Sequence, residues 1–224
     1  MFIDIHTHLL PTIDDKVKTI EETLYELNRY KRYDITHVIF TPHLNHPIIK
    51  TDINKIKEKY QEIKDVVEKN TGVQTYLASE LYMTLNYKEF IPFNDTFAFV
   101  EFDKTNFPFY ALDAIFNLQL DGYEVVLFHV EKYTWLRENR NTLKRLREMG
   151  VYFHMDFDGL NTKEGKFYLN RNMVDFLATG NHGRQGKEVD LNLFKQYSNI
   201  TSKALDILQR GTKETTKNGF FQHQ

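Results

Sequence analysis

Met1-Phe2-Ile3-Asp4-Ile5-His6-Thr7-His8 opens the chain. Its apolar residues mark a short strand, and it ends in His-x-His. On an extended chain residues i and i+2 point to one side, so His6 and His8 aim two imidazoles at a single point just past the strand end. A divalent metal needs that geometry. Two surface histidines on a strand would give the same pattern, so the weight comes from the rest of the chain: other strand-like runs, each closing on a similar donor.

Thr19 and Glu22 form a capping-box pattern ahead of a helix whose apolar face is Ile20, Leu24, Leu27 and Tyr30. Thr36–Phe40 reads as a strand that Thr41-Pro42-His43 breaks. A helix from Thr51 or Asp52 to about Asn70 carries the stripe Ile53, Ile56, Tyr60, Ile63 and Val67, with a solvated Lys/Glu face opposite. Val73–Ala78 is a strand running into Ser79-Glu80. Phe97–Val100 is a strand that Glu101 follows, and Ala111–Leu120 a helix that Gly122 stops. Glu124–Phe128 ends at His129. A helix with Leu143, Leu146 and Met149 closes at Gly150, and Val151–Met155 ends at Asp156. Val174–Ala178 precedes Thr179-Gly180-Asn181-His182, and two closing helices cover 191–197 and 202–209. Strands alternating with helices predict an α/β fold with a parallel sheet or barrel, which places a site at the strand C-terminal ends. His6, His8, His43, Glu80, Glu101, His129 and His182 all stand there.

The composition excludes several classes. At 224 residues the chain reads as one domain over 1–210 followed by a polar tail over 211–224. A 41 % hydrophobic share is enough for a substantial core, and a net charge of −2 without a dense basic stripe argues against nucleic acid. No apolar run approaches the roughly 18 residues of a membrane span. No signal-peptide pattern is present, and the expected location is cytoplasmic. There is no cysteine, which rules out disulfides, thiolate metal ligands and a cysteine nucleophile. His37 and His154 read as packing or surface residues within strands.

The order Asp4-Ile5-His6-Thr7-His8-Leu9-Leu10-Pro11, Ile13-Asp14-Asp15 and Thr41-Pro42-His43 resembles the polymerase-and-histidinol-phosphatase (PHP) superfamily. Ala78-Ser79-Glu80, Val100-Glu101-Phe102 and His129-Val130-Glu131-Lys132-Tyr133 narrow the resemblance to the bacterial manganese-dependent tyrosine-protein phosphatases of capsule and exopolysaccharide clusters. It runs from Met1 to about His182. The resemblance implies a distorted seven-stranded β/α barrel of the PHP type, up to three divalent metals, and hydrolysis of phosphotyrosine on a partner kinase's tyrosine-rich tail. His6 and His8 would hold one metal, with Glu80 bridging to a second that Glu101 and His129 complete. Asp14 or Asp15, with His43 and His182, would hold a third. An oxygen and nitrogen donor set suits Mn, Fe or Zn, and the resemblance tilts the choice to Mn. Lys132, and Arg184 just past His182, are candidates to face phosphate. His46, after the His43 loop, could reach substrate; Tyr82, Phe107, Phe109, Tyr110 and Tyr133 are candidates to line a rim that accepts a phenol, the other reading being core or surface packing.

The chain departs from that family at three places. Lys132 stands where arginine is usual, keeping the charge and losing the two-pronged grip on phosphate. Lys16 occupies a position where the loop usually has glycine. Gly180 stands where a metal-binding aspartate is expected, leaving the first site one ligand short and counting against activity. Asp156, where relatives commonly carry an uncharged asparagine, is one candidate for the missing carboxylate, with Asp158 a poorer one; the other reading is that both merely open a loop. Three functions are therefore carried forward: phosphotyrosine phosphatase, phosphatase of a small monoester such as histidinol phosphate, and a partner- or phosphopeptide-binding protein without turnover. Oligomeric assembly is compatible with all three.

Overall fold

A computed structural model describes residues 1–14, 17–87, 89–183 and 188–210. Among the described residues nine strands carry the fold: β1 (Phe2–Thr7), β2 (Ile35–Phe40), β3 (His43–Leu44), β4 (Gln74–Leu77), β5 (Glu80–Tyr82), β6 (Phe97–Glu101), β7 (Glu124–Leu127), β8 (Tyr152–Asp156) and β9 (Phe176–Ala178). Every pair is parallel, in the orders β1-β2-β4 and β3-β5-β6-β7-β8-β9. β2 and β3 are one stave broken at Thr41-Pro42, where proline has no N–H to give the ladder. β4 and β5 are another, broken at Ala78-Ser79. Phe40 faces Leu77 before the breaks and His43 faces Glu80 after them, the same offset, so the pairing resumes in register. Seven staves result, and the last meets the first: the Gly180 N–H donates to the His6 carbonyl at 3.0 Å and the His8 N–H to the Asn181 carbonyl at 2.8 Å.

The helices behave as their sequences dictate. In α1 (Ile20–Lys31) the Thr19 hydroxyl accepts the Glu22 N–H, while the Glu22 carboxylate accepts the Lys18 N–H, one residue earlier than the ideal capping box. Asp52 caps α2 (Ile53–Thr71) by accepting the Asn54 and Lys55 N–H groups, and Gly72 ends it at φ 67°. α3 (Ala111–Leu120) and α5 (Arg140–Glu148) match the expected segments. Two helices are not legible in the sequence pattern: α4 (Thr134–Glu138) and α6 (Lys163–Leu169). α6 contains Gly165, a poor helix former, which is required by packing. A Cβ there would lie 2.0 Å from the Gly159 carbonyl oxygen. The closing segment is α7 (Leu193–Gln196), α8 (Ser198–Thr201) and a last helical stretch over 204–210. The expected tail, 211–224, lies outside the described residues. No helix among the described residues is long and apolar enough to cross a membrane.

The inside of the curled sheet is a small core of Ile3, Ile5, Ile39, Ala78, Phe93, Phe97, Phe99, Val126, Phe128, Phe176 and Ala178, among others. Many of these residues are two apart, the inward row of each strand. The same rows run on into polar positions: Ala78 to Glu80, Phe99 to Glu101, and Ala178 to Gly180. On β8 the row is Tyr152, His154, Asp156. β1 has register irregularities between Phe2 and Ile3 and between Asp4 and Thr7, which let His6 join the inner group although it lies one residue off the Ile3–Ile5 row. A larger core between sheet and helices holds the opposite rows, such as Ala98, Val100, Val125 and Leu127.

The β1–β9 seam has its own polar lock. Buried Asp4 accepts the Thr179 hydroxyl at 2.6 Å and the Thr179 N–H at 3.2 Å. The Thr179 oxygen in turn receives the Tyr30 hydroxyl at 2.9 Å and the Asn181 N–H at 3.0 Å. Burial pushes the Asp4 carboxyl up to about 6, against the pull of the Thr179 bonds. Thr179→Val removes the hydroxyl and leaves ionised Asp4 short of a donor. It should lower stability by about 2–3 kcal/mol at pH 8 in urea unfolding. The loss should shrink below pH 5, where the folded carboxyl is protonated, and Thr179→Ser should restore most of it.

Candidate metal centre

Glu80 opens β5 with no exposure to solvent, and four imidazoles surround its carboxylate. Oε1 lies 2.6 Å from His129 Nε2. Oε2 lies 3.3 Å from His6 Nε2, 3.2 Å from His8 Nε2 and 3.0 Å from His43 Nδ1. His6 and His8 bring their Nε2 atoms within 3.0 Å of each other. Burial alone would raise the Glu80 carboxyl, but His43, His129 and His6 outweigh it and hold it well below the usual range. Reciprocally, burial works to lower the histidines; Asp156 and Glu80 overcome this at His6, raising it to about 10, and Asp14 and Glu80 do so at His8, raising it to about 9.

Glu101, at the end of β6, is equally buried, and neither of its oxygens has a hydrogen-bond partner. Its neighbours are His43 Nδ1 and His46 Nε2, both at 3.9 Å, and Lys104 Nζ at 3.5 Å. His43 Nδ1 is 3.0 Å from Glu80 without hydrogen-bond geometry. Buried donor atoms converging without hydrogen bonds are the signature of a cation site. Donor atoms gather within 4.8 Å in the sets His6–His8–Glu80 and His43–Glu80–Glu101, with Glu80 common to both. Hard oxygen and borderline nitrogen donors without sulfur fit Mn, Fe or Zn. The residues present therefore fit the expected metals.

The remaining expected ligands fall into different places. Asp14 is buried and reaches His8 Nδ1 at 2.8 Å, behind the ring, while its other oxygen is 3.3 Å from the His43 N–H. It holds the His8 ring and meets the backbone of His43. The competing candidate, Asp15, lies outside the described residues, as do Lys16 and Arg184. His182 stacks on the His8 ring, 4.2 Å between centroids and 4° between planes, and its ring is 6.3 Å from that of His43. The structure gathers His43 with Glu80 and Glu101, where a group with Asp14 and His182 was expected. His129 adopts φ 61°, turning the chain sharply after β7 so that the ring faces Glu80 and Lys132 comes back over it. Lys132 Nζ sits 2.6 Å from Asp156 Oδ2 and 3.1 Å from His129 Nδ1, facing a carboxylate.

His154, expected as a packing or surface residue, belongs to the site. It is fully buried, 4.3 Å from the Phe128 ring, with Nε2 3.5 Å from Asp156 Oδ1. The sequence holds a signal for this: His154 and Asp156 are two apart on a strand. Lys104 left no signal of its role. His37 is bland, as expected, bonding to Thr36 and stacking on Tyr76. Tyr133 is no rim residue; it is buried, and its hydroxyl accepts the Phe102 N–H at 3.0 Å. Phe107 and Phe109 are exposed, and His46 packs edge-on against Tyr82.

A curled parallel α/β sheet with buried histidines and carboxylates at its strand ends defines a barrel-like protein with a candidate metal site. The chain belongs to the family described as capsular polysaccharide synthesis, CpsB/CapC, whose model matches residues 2–206. It is 27 % identical over 195 residues to CapC of Staphylococcus aureus, covering 80 % of this chain and 76 % of that one. It is also 27 % identical to the tyrosine-protein phosphatase YwqE of Bacillus subtilis, covering 80 % and 77 %. Among solved structures it is similar in fold to a chain from the work on YwqE and Streptococcus pneumoniae CpsB, described as unique metal-dependent tyrosine phosphatases, with TM-score 0.78, 23 % identity and 94 % of each chain covered. The histidinol phosphate phosphatase of Lactococcus lactis, solved with zinc, shares the fold at TM-score 0.57 and 13 % identity, over 91 % of this chain and 93 % of that one.

The shared position of Glu80 makes the two glutamates separable by mutation. Glu80→Gln should empty both metal positions in elemental analysis, whereas Glu101→Gln should leave the His6–His8 side filled. Before metal binds, His6 and His8 hold protons up to about 10 and about 9, and metal must displace them. Affinity should therefore rise as pH goes from 6 to 8, and calorimetry in buffers of different ionisation enthalpy should show protons released on loading.

Proposed function

We propose that the protein is a metal-dependent phosphotyrosine-protein phosphatase, acting in the cytoplasm on the tyrosine-rich tail of a kinase in capsule or exopolysaccharide synthesis, with Mn²⁺ as its working metal. The observation that carries this is Glu80 shared among four imidazoles beside the unpartnered Glu101, in a chain with no cysteine. Family membership and the phosphatase names of the relatives support it.

His6, His8, His43, His129, Glu80 and Glu101 would hold the metals, and His182 stands beside them at His8. Divalent metals there would activate water for in-line attack and offset the charge of the phosphoryl oxygens. The protein's own groups bind and orient. His46 stands over Glu101 at the mouth, beside Tyr82, where a phenol ring can approach. Lys132, partly exposed beside His129, adds positive charge, and Arg184 is a further candidate for the phosphate. Gly180 is the reason to consider a non-catalytic member. A Cβ built there would lie 3.1 Å from Asp156 Oδ1, so a carboxylate already stands beside that position.

Turnover of a phosphotyrosyl peptide and of histidinol phosphate, each with added Mn²⁺, tests the reading. The peptide should be the better substrate, activity should vanish on chelation, and iodoacetamide should have no effect. Preference for histidinol phosphate would transfer the protein to the small-monoester class, and no turnover of either with metal bound would make it a binding protein. Lys132→Ala should lower kcat/KM for the peptide about tenfold, roughly 1.4 kcal/mol, while Lys132→Arg should equal or exceed the natural residue.

A further inference from the structure

The side of His6 and His129 that turns away from Glu80 is not open. One carboxylate, that of Asp156 at the end of β8, meets both rings there: Oδ1 is 2.8 Å from His6 Nδ1 and Oδ2 is 3.0 Å from His129 Nδ1. Lys132 Nζ reaches the same Oδ2 at 2.6 Å. Asp156 is 4 % exposed. Its carboxylate also fills the space that a side chain at position 180 would need, since a Cβ on Gly180 would come within 3.1–3.2 Å of all three carboxylate atoms.

Asp156 itself could be read as a metal ligand, because His6, His129, His154 and Asp156 also offer donor atoms within 4.8 Å. The tautomers argue against this. A neutral imidazole has one lone pair and one N–H. His6 and His129 turn Nε2 toward Glu80 and Nδ1 toward Asp156; at His129, Lys132 Nζ also stands 3.1 Å from Nδ1, but its shorter contact is to Asp156 Oδ2 at 2.6 Å, which leaves Nδ1 to donate. His154 Nδ1 accepts the His129 backbone N–H at 3.4 Å, so its Nε2 carries the proton; that nitrogen lies 3.5 Å from Asp156 Oδ1 without a hydrogen bond. The Nδ1 atoms of His6 and His129 then face Asp156 as donors, and Lys132 already supplies a cation at its Oδ2. His8 repeats the pattern, with Nδ1 on Asp14 and Nε2 on Glu80.

We propose that Asp156 is a positioning residue that accepts the Nδ1–H of both His6 and His129, fixing the two rings with Nε2 toward the Glu80 centre, and that it does so from the place a carboxylate at position 180 would occupy. The inference rests on the metal-site reading of the Glu80 cluster. It differs both from Asp156 as a candidate ligand of the first metal and from Asp156 as a residue that merely opens a loop. Outer carboxylates of this kind typically change metal affinity about 10- to 100-fold.

The test uses the full chain loaded with Zn²⁺, a diamagnetic probe, and ¹⁵N-detected histidine spectra. In the natural protein His6 and His129 should show protonated Nδ1 and metal-bound Nε2, with Nδ1 protons shielded from exchange. Asp156→Asn should expose those protons and raise the metal Kd about 10- to 100-fold, while saturating metal restores the full stoichiometry. Permanent loss of one metal per chain would overturn positioning in favour of direct ligation. Unchanged spectra and affinity would overturn any role. The shared space gives a second readout. Gly180→Asp should weaken metal binding in the natural background, where two carboxylates collide, and strengthen it in Asp156→Asn. The same effect in both backgrounds would refute the exchange of places. If the natural protein binds no metal, the metal-site reading fails by itself. The Nδ1 protons of His6 and His129 then still decide Asp156: their exposure on Asp156→Asn supports the contact, and no change removes it.

Discussion

A single buried carboxylate, Glu80, sets the constraint that the rest of the site obeys. Four imidazoles reach it from β1, the loop after β1, the start of β3 and the turn after β7. A charge with no solvent access is tolerated only when surrounded by opposite charge or cations. The histidines provide the first and a metal would provide the second. The fold's parallel ring serves this need: it delivers successive strand ends to one small volume, and the breaks at Thr41-Pro42 and Ala78-Ser79 occur just before His43 and Glu80.

The seam between β1 and β9 is where such a ring is most exposed to error, since the two strands are farthest apart in sequence. Here the join is polar. Asp4, Thr179, Tyr30 and Asn181 form a chain of buried hydrogen bonds, and Asn181 continues to Glu26 on α1 at 3.0 Å. A buried network in which each member is satisfied fixes one register, where apolar packing alone would tolerate a slip. Register matters because a one-residue shift of β1 would turn His6 out of the site.

The imidazoles are oriented from behind by aspartates, Asp14 for His8 and Asp156 for His6 and His129. This divides the carboxylates of the site by position. Glu80 and Glu101 stand on the side where donor atoms converge, and the aspartates on the far side of the rings. Asp156 and Gly180 are also a spatial pair, one side chain filling what the other omits. A chain that looks one ligand short along β9 has a carboxylate in that space, carried on the neighbouring strand.

Much of this is written in the sequence. The alternation of strands and helices, the apolar stripes of α1 and α2 and the series His6, His8, His43, Glu80, Glu101 and His129 come from local periodicity and from donors placed after apolar runs. Those signals are local, so a linear reading finds them. Three features are not legible in that way. α6 contains Gly165, and only the approach of the Gly159 carbonyl explains why a helix must have glycine there. His154 looks like strand packing until its inward row is seen to end on Asp156. Which nitrogen of each histidine faces Glu80, and that Asp156 occupies the space beside Gly180, depend on ring orientation and on two strands lying side by side. The sequence determined which donors exist and on which strand ends they stand. Tertiary structure alone decided which face Glu80 and which stand behind, because that depends on distances between residues as far as 150 positions apart.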